Sequence, residues 1–268
     1  MRGEFHIHTT ASDGVLGVRE ILEEIKGKEE YISITDHDIL DNSIVAKEIA
    51  NNYGITAIVG VEISTYNNDE NVHILGYFKD CDHLDELNEV LRGIRENRVK
   101  RLFLIKDRLK EVFDIELDIS RLIKLSTITR GSIGREIIKS YPQYTIKNVF
   151  DEMIGVGCPA YIPSTKISSK EAIDIIHRAK GMAVLAHPTL LKTNDPIEII
   201  EMGVDGIEAK YPLNKEGEEE EYRKLAKKYN LFITAGSDFH AHNDPRHGEL
   251  LSTLLEGVDL ERFLKEVL

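Results

Sequence analysis

At 268 residues the chain can bury a sizeable core, as one large domain or a domain with an insertion, and 41% hydrophobic with 30% charged residues is ordinary for a globular protein. A net charge of −13 argues against a coat for duplex nucleic acid, whose affinity comes mostly from Lys and Arg neutralising phosphates, so any phosphate chemistry needs a local positive charge from another source. The two cysteines, Cys81 and Cys158, exclude a disulfide framework and fit a reducing compartment; with no signal peptide and no apolar run long enough to span a bilayer, a cytoplasmic chain without a membrane partner is expected.

The first element is Phe5-His6-Ile7-His8, an alternating segment that reads as a strand with both histidines on one face. Gly14 follows at a turn that can bring Asp13 back over the strand end. Alone, this His-x-His pair fits solvated histidines as well as metal ligands. Apolar residues at helical spacing predict a helix over about 17–28. Tyr31–Thr35 is a β-rich run ending in Asp36-His37-Asp38, and a helix is expected over about 43–53. Thr56–Val61 reads as a buried strand that stops at Glu62, 67–71 as a turn, and Val72–Phe78 as a strand with His73 at its start. From about 84 to 160 strand signals are missing. One or two long helices are expected first, then shorter helical patterns near 118–125, 132–140 and 145–154.

Strand and helix alternate again afterwards. Helix 169–180 precedes strand 182–186 and His187-Pro188, helix 195–202 precedes strand 205–208, and helix 216–229 precedes strand 231–235, which ends in Gly236-Ser237-Asp238-Phe239-His240. Repeated units of this size suggest a parallel α/β sheet, doubly wound or closed into a barrel. The helical stretch therefore reads as an insertion, giving a first barrel part at 1–96, a helical insertion or substrate cap at 97–164, and a second barrel part at 165–268.

Several apolar runs end in residues of metal-ligand type: His6 and His8, His37, Glu62, His187, then Asp238 and His240. In a barrel of parallel strands these ends converge in space, however far apart they lie in sequence, so a metal site is expected.

These motifs, with His73-Ile74-Leu75-Gly76-Tyr77, together resemble the polymerase and histidinol phosphatase (PHP) family of metal-dependent phosphoesterases over nearly the whole chain. The resemblance implies a distorted (β/α)7 barrel holding up to three divalent ions. His6, His8, Glu62 and Asp238 would hold one; Glu62 would bridge to a second held by His73 and His187; Asp13, His37 and His240 would hold a third, with Asp13, His37, Glu62 and His240 counted as catalytic. Nitrogen-rich ligands with carboxylates suit zinc, manganese or iron. Three carboxylates and three divalent ions sum to +3, which makes an acidic chain locally attractive to phosphate. Two ions about 3.5–4 Å apart can share a hydroxide for in-line attack.

Within the family, the similarity is greatest to the branch that dephosphorylates nucleoside 3′,5′-bisphosphates and trims short RNAs from the 5′ end. There a segment resembling Arg-Pro-His-Ile-Ala-Arg contributes to the substrate pocket. This chain has Arg130-Gly131-Ser132-Ile133-Gly134-Arg135, keeping both arginines and replacing the histidine by Ser132. Arg130 and Arg135, with Arg246 and His247 after the last ligand loop, are the candidate substrate-binding residues. The expected function is hydrolysis of a terminal phosphate monoester of a small nucleotide, with short oligoribonucleotides as further substrates. The alternatives are a phosphatase for histidinol phosphate or a sugar phosphate, and a metal-binding barrel without turnover. Asp36 and Asp38 read either as orienting partners of His37 or as turn residues, and Arg95, Arg98 and Arg101 as a solvated helix face. The sequence does not fix the oligomeric state.

Overall fold

The computed structural model describes residues 1–28, 31–68, 70–163 and 167–268. The boundary expected at 164/165 and Asp69 of the expected 67–71 turn lie outside them. Contacts divide the chain into two compact units, one of Met1–Leu91 with Lys166–Leu268 and one of Arg92–Thr165. The elements in order are β1 (Arg2–Ile7), α1 (Val18–Ile25), β2 (Tyr31–Ile34), α2 (Asp41–Ile49), β3 (Thr56–Asn67), β4 (Glu70–Phe78), α3 (Asp85–Phe113), α4 (Arg130–Ser140), α5 (Ile146–Asn148), β5 (Ile167–Ser168), α6 (Ser169–Arg178), β6 (Met182–Leu185), α7 (Pro196–Ile200), β7 (Gly206–Lys210), α8 (Glu218–Tyr229), β8 (Phe232–Ala235), β9 (Leu255–Glu256) and α9 (Gly257–Val267).

In the larger unit the sheet runs β8-β7-β6-β4-β3-β2-β1-β9, with β5 added to β3. The path from β8 to β1 returns on itself through a parallel bridge between Ile7 and Phe239, fixed by His8 N donating to Phe239 O at 2.9 Å and Asp238 N donating to His6 O at 2.9 Å. The expected distorted α/β barrel is borne out. Two cores pack against its strands: β1, β2, α1 and α2 share one around Ile7, Ile21, Leu22 and Ile34, while Phe5, Tyr77 and Phe263 meet in a second, with Phe5 and Phe263 ring centroids 4.7 Å apart.

The sheet departs from the parallel expectation at β9, antiparallel to β1, and at β4, where the departure shapes the site. β3 does not stop at Glu62; it continues to Asn67 and folds back as β4, pairing Glu62 with Leu75 and Ser64 with His73. β4 is antiparallel to both β3 and β6, so its first residues lie beside the carboxyl end of β3. A histidine at the start of a strand thereby reaches the rim where the other strands end.

The smaller unit is helical among its described residues and has its own core, including Leu102, Ile105, Leu109, Ile133, Ile137, Val149 and Met153. The expected helix at 118–125 is only a single 3₁₀ turn, Leu122–Lys124. The segment 145–154 is α5 continued by a π-helical turn, Val149–Ile154. The solvated-face reading of Arg98 and Arg101 is corrected. Arg98 is buried and donates from Nη1 to Ile128 O at 3.0 Å, and Arg101 Nε donates to Ile162 O at 2.7 Å. The two guanidinium groups thereby tie α3 to the segments around Ile128 and Ile162 within the smaller unit.

Candidate metal centre

All nine ligands inferred by resemblance lie in the larger unit, and side chains up to 234 positions apart meet at one end of its barrel. Glu62 is the hub. Its Oε1 lies 2.7 Å from His73 Nδ1 and 3.0 Å from His187 Nε2, and its Oε2 lies 2.8 Å from His37 Nδ1 and 3.2 Å from His8 Nε2. One carboxylate therefore faces two sets of imidazoles with its two oxygens, the geometry of a bridging ligand. Asp238 Oδ1 is 3.0 Å from His8 Nε2 and 3.4 Å from His6 Nε2. Asp13 Oδ1 is 3.0 Å from His240 Nε2 and 3.8 Å from His37 Nε2.

Ligand atoms fall into overlapping groups, each with all its atoms within 4.8 Å: His6, His8, Glu62 and Asp238; His8, Asp13, His37 and His240; His37, Glu62 and His73; and Asp238, His240 and His247. The first coincides with the first ligand set implied by the resemblance. In the second, His8 joins Asp13, His37 and His240. Of the second implied set, Glu62 and His73 group with His37, and His187 reaches Glu62 directly.

The donor set fits divalent cations. His6 Nε2, His8 Nε2, Glu62 Oε2 and Asp238 Oδ1 are all buried, face one another, and make no hydrogen bond of acceptable geometry. Leaving such groups unsatisfied costs about 1–3 kcal/mol each, more when charged, and a shared cation removes that cost. The electrostatics point the same way. Burial opposes ionisation of Asp13, Glu62 and Asp238, yet the surrounding histidines hold all three carboxyls well below their usual range. Burial also opposes a charged His6, but Glu208, Asp238 and Glu62 outweigh it and raise the imidazole well above its ordinary value. At His73 burial wins despite Glu62 and pushes the ring down to about 4.

The other ring nitrogens are committed to partners that sequence reasoning did not assign. Glu208, on β7, lies 3.0 Å from His6 Nδ1 with Oε1 and accepts from His187 N at 2.8 Å with Oε2. Ser12 Oγ is 3.3 Å from His8 Nδ1, and His240 Nδ1 donates to Asp238 O at 2.7 Å. Each contact directs the opposite nitrogen inward, the usual work of groups around a metal ligand. Glu208 gave no comparable signal in sequence: it follows a single isoleucine inside Gly206–Lys210 rather than ending an apolar run. Tyr211 adds a hydroxyl that donates to Asp238 Oδ2 at 3.0 Å.

The local backbone is built for this display. His187 and Asp238 both have positive φ, 26° and 55°, a strained conformation for a non-glycine residue that persists only where the surrounding structure holds it. Buried Glu4 accepts from Ser237 N at 3.1 Å, from Ser237 Oγ, and from Leu251 N at 2.6 Å, tying β1 to the loop that carries Asp238. Burial raises the Glu4 carboxyl to about 7 against those hydrogen bonds.

Asp36 and Asp38, read either as orienting partners of His37 or as turn residues, also hold neighbouring segments. Asp36 accepts from Thr9 N at 2.7 Å, Thr9 Oγ1 at 2.5 Å and Ser12 Oγ at 2.5 Å, so it shapes the 9–13 loop. Asp38 Oδ1 accepts from Ser64 N at 2.7 Å.

Of the candidate substrate residues, Arg246 and His247 lie in the larger unit beside the ligands. Arg130 and Arg135 open and line α4 in the smaller unit. Arg130 lies over the Tyr161 ring, 5.7 Å from its centroid. Ser132 has a structural use: its Oγ bonds Thr129 while Thr129 Oγ1 accepts from Ser132 N at 3.0 Å, a capping box for α4.

No family model matches the chain. The chain is 29% identical over 248 residues to the 5′-3′ exoribonuclease Rnm of Escherichia coli K12, covering 88% of this chain and 84% of that protein. It is 26% identical over 246 residues to a phosphoribosyl 1,2-cyclic phosphate 1,2-diphosphodiesterase of Eggerthella lenta, covering 88% and 93%. It is 27% identical over 251 residues to a 3′,5′-nucleoside bisphosphate phosphatase of Chromobacterium violaceum, covering 89% and 87%. A solved structure from Bifidobacterium adolescentis, assigned to the metal-dependent phosphoesterases, superposes with a TM-score of 0.88 over 99% of this chain and 96% of its own at 24% identity, a likeness of fold. Together these bear out the resemblance to the PHP phosphoesterases and the reading of the chain as a hydrolase. No helix among the described residues is long and apolar enough to cross a membrane.

Proposed function

We infer that this PHP-type metal-dependent phosphoesterase removes a terminal phosphate from a small nucleotide, a nucleoside 3′,5′-bisphosphate first and the 5′ end of a short RNA second. The observation that carries the reading is the buried set of inward-facing nitrogens and oxygens gathered around Glu62, which has no purpose in an apolar barrel without cations. The names of the exoribonuclease and bisphosphate phosphatase relatives support the substrate class. Zinc, manganese or iron, up to three ions, suit the ligands assigned here: His6, His8, Asp13, His37, Glu62, His73, His187, Asp238 and His240.

Such ions supply Lewis acidity towards phosphoryl oxygens and lower the pKa of a water towards neutrality. The chain's own residues do the rest. Glu62 and Asp238 bring negative charge into the centre of the cluster and fix the spacing of the imidazoles. Glu208 and the Asp238 carbonyl hold His6 and His240 in the tautomers that turn Nε2 inward. His187, at the end of β6, and His73, at the start of β4, close the side nearest Glu62 Oε1. Arg246 and His247 are assigned to the substrate at the rim. Arg130 and Arg135, in a segment that would serve as a cap, are assigned to a phosphate; the planar guanidinium fork suits two phosphate oxygens.

Phosphate release measured across a panel decides the substrate. The panel holds nucleoside 3′,5′-bisphosphates, 5′-monophosphates, short 5′-phosphorylated RNA, histidinol phosphate and a sugar phosphate. The highest kcat/KM is expected for the bisphosphates. Arg130→Ala and Arg135→Ala should raise KM by about tenfold for that substrate with little change in kcat, as loss of uniform binding does. A highest rate on histidinol phosphate or the sugar phosphate, or arginine variants with unchanged KM, would overturn the assignment.

A further inference from the structure

We propose that Asp238, His240 and His247 form an additional position for a divalent cation at the edge of the cluster, with Asp244 orienting its outermost ligand. The inference rests on the reading of the cluster as metal-binding.

The residues come from one stretch after β8. Asp244 Oδ2 lies 3.1 Å from His247 Nδ1, and the same carboxylate pairs twice with Arg246, Oδ1 to Nε at 3.1 Å and Oδ2 to Nη2 at 2.8 Å. Arg246 N also donates to Oδ1 at 3.0 Å. A carboxylate held at so many points has a fixed direction, and it takes the Nδ1–H of His247. The lone pair is then on Nε2, which lies 3.9 Å from Asp238 Oδ2. Two donors that each sit about 2.0–2.2 Å from one ion cannot be further apart than about 4.4 Å, so one ion fits between them.

His240 completes the set. Its ring lies parallel to that of His247, centroids 3.9 Å apart and planes at 21°, and the three residues offer ligand atoms within 4.8 Å of one another. Asp238 uses its two oxygens separately: Oδ1 faces His6 and His8, while Oδ2 faces Tyr211 and His247. The position thus draws on a carboxylate oxygen that the main cluster does not use, but its His240 nitrogen, Nε2, is the one that faces Asp13, so an ion here and an ion beside Asp13 hold that nitrogen alternately. The His247 side chain is 18% exposed, so this edge is open to solvent. Three protein ligands with an open side describe an ion that can exchange or meet substrate, rather than a closed structural site. The carboxylate behind the imidazole is the arrangement that strengthens a histidine ligand.

The test is a titration of the metal-free full chain with Co²⁺, followed by calorimetry and visible absorption, for wild type, His247→Ala, His247→Asp and Asp244→Asn. One binding step should weaken by about tenfold or more in His247→Ala, and to a lesser degree in Asp244→Asn, while the step at the group of His6, His8, Glu62 and Asp238 keeps its affinity. His247→Asp, which keeps a donor, should recover part of the lost step. A His247→Ala isotherm and spectrum that superpose on wild type would overturn the ligand role while leaving the main cluster standing. A folded His247→Asp that recovers nothing would also count against it. Wild type that takes up no cobalt would overturn both this site and the reading it rests on.

Discussion

Replacing Glu62 by glutamine is expected to abolish phosphate release and remove at least one equivalent of bound metal while leaving the barrel folded. The substitution keeps shape and volume and removes one charge. Glu62 Oε1 faces His73 and His187, and Oε2 faces His37 and His8, so in the proposed centre both oxygens would face cations. A carboxamide offers one weakly basic oxygen and turns two N–H donors towards nitrogens that need an acceptor or a cation. Metal charge stabilisation contributes several kcal/mol to a phosphoryl transfer, and at 1.36 kcal/mol per decade its loss corresponds to roughly a 10³-fold fall in kcat/KM. Steady-state kinetics, metal content by elemental analysis and far-ultraviolet circular dichroism report the three effects. A variant within tenfold of wild type that carries its full complement of metal would remove Glu62 from the centre of the account.

Gly236→Ala should be nearly as damaging for a different reason. A Cβ at this position would lie 2.2 Å from His6 Cβ and 2.6 Å from His6 N, closer than atoms of that kind approach. The obstruction is main chain and the root of a ligand, so no flexible side chain can swing aside. β1 and the loop after β8 must separate, pulling on the bonds from His8 N to Phe239 O and from Asp238 N to His6 O that close the barrel. Overpacking of this kind typically costs about 1–3 kcal/mol. His6 and Asp238 would also move apart, and a misplacement of about 1 Å is worth roughly 10²-fold in rate. Thermal unfolding and kcat/KM together test the claim. Gly93→Ala, within α3 where an added Cβ meets nothing within 4 Å, should instead stabilise by up to about 1 kcal/mol. Equal behaviour of the two variants would show that the close approach at Gly236 is unimportant.

Much of this architecture was legible in the chain because strand and ligand coincide. A strand followed by a histidine or carboxylate is visible without a structure, and His6, His8, His37, His187, Asp238 and His240 all stand that way. His73 was legible only by resemblance: its position at the start of a strand becomes useful because β4 runs against its neighbours, and periodicity carries no information about direction. For the same reason β3 was ended too early at Glu62; a hairpin continues pairing after the apolar run has become polar. Asp36 was near enough to His37 to suggest a partner, but its three hydrogen bonds come from the Thr9 N–H and from the Thr9 and Ser12 hydroxyls, in a segment distant in sequence. Glu4 and Glu208 were silent because their partners lie in other segments or are main-chain groups, which no side-chain pattern reveals. Arg98 and Arg101 share a helical stripe with solvated residues in sequence, and only the folded unit shows that they are held on carbonyls.

The central claim is that these side chains make a hydrolase only together with divalent cations. It is tested most directly by stripping the full chain with chelator and following phosphate release from a nucleoside 3′,5′-bisphosphate as Zn²⁺, Mn²⁺ or Fe²⁺ is added back. The account predicts no release from the stripped protein and recovery that saturates after two to three equivalents of the correct ion, about the number that the ligand groups around Glu62 and Asp13 accommodate. Full activity in the stripped protein, or none with any of the three ions, would contradict it.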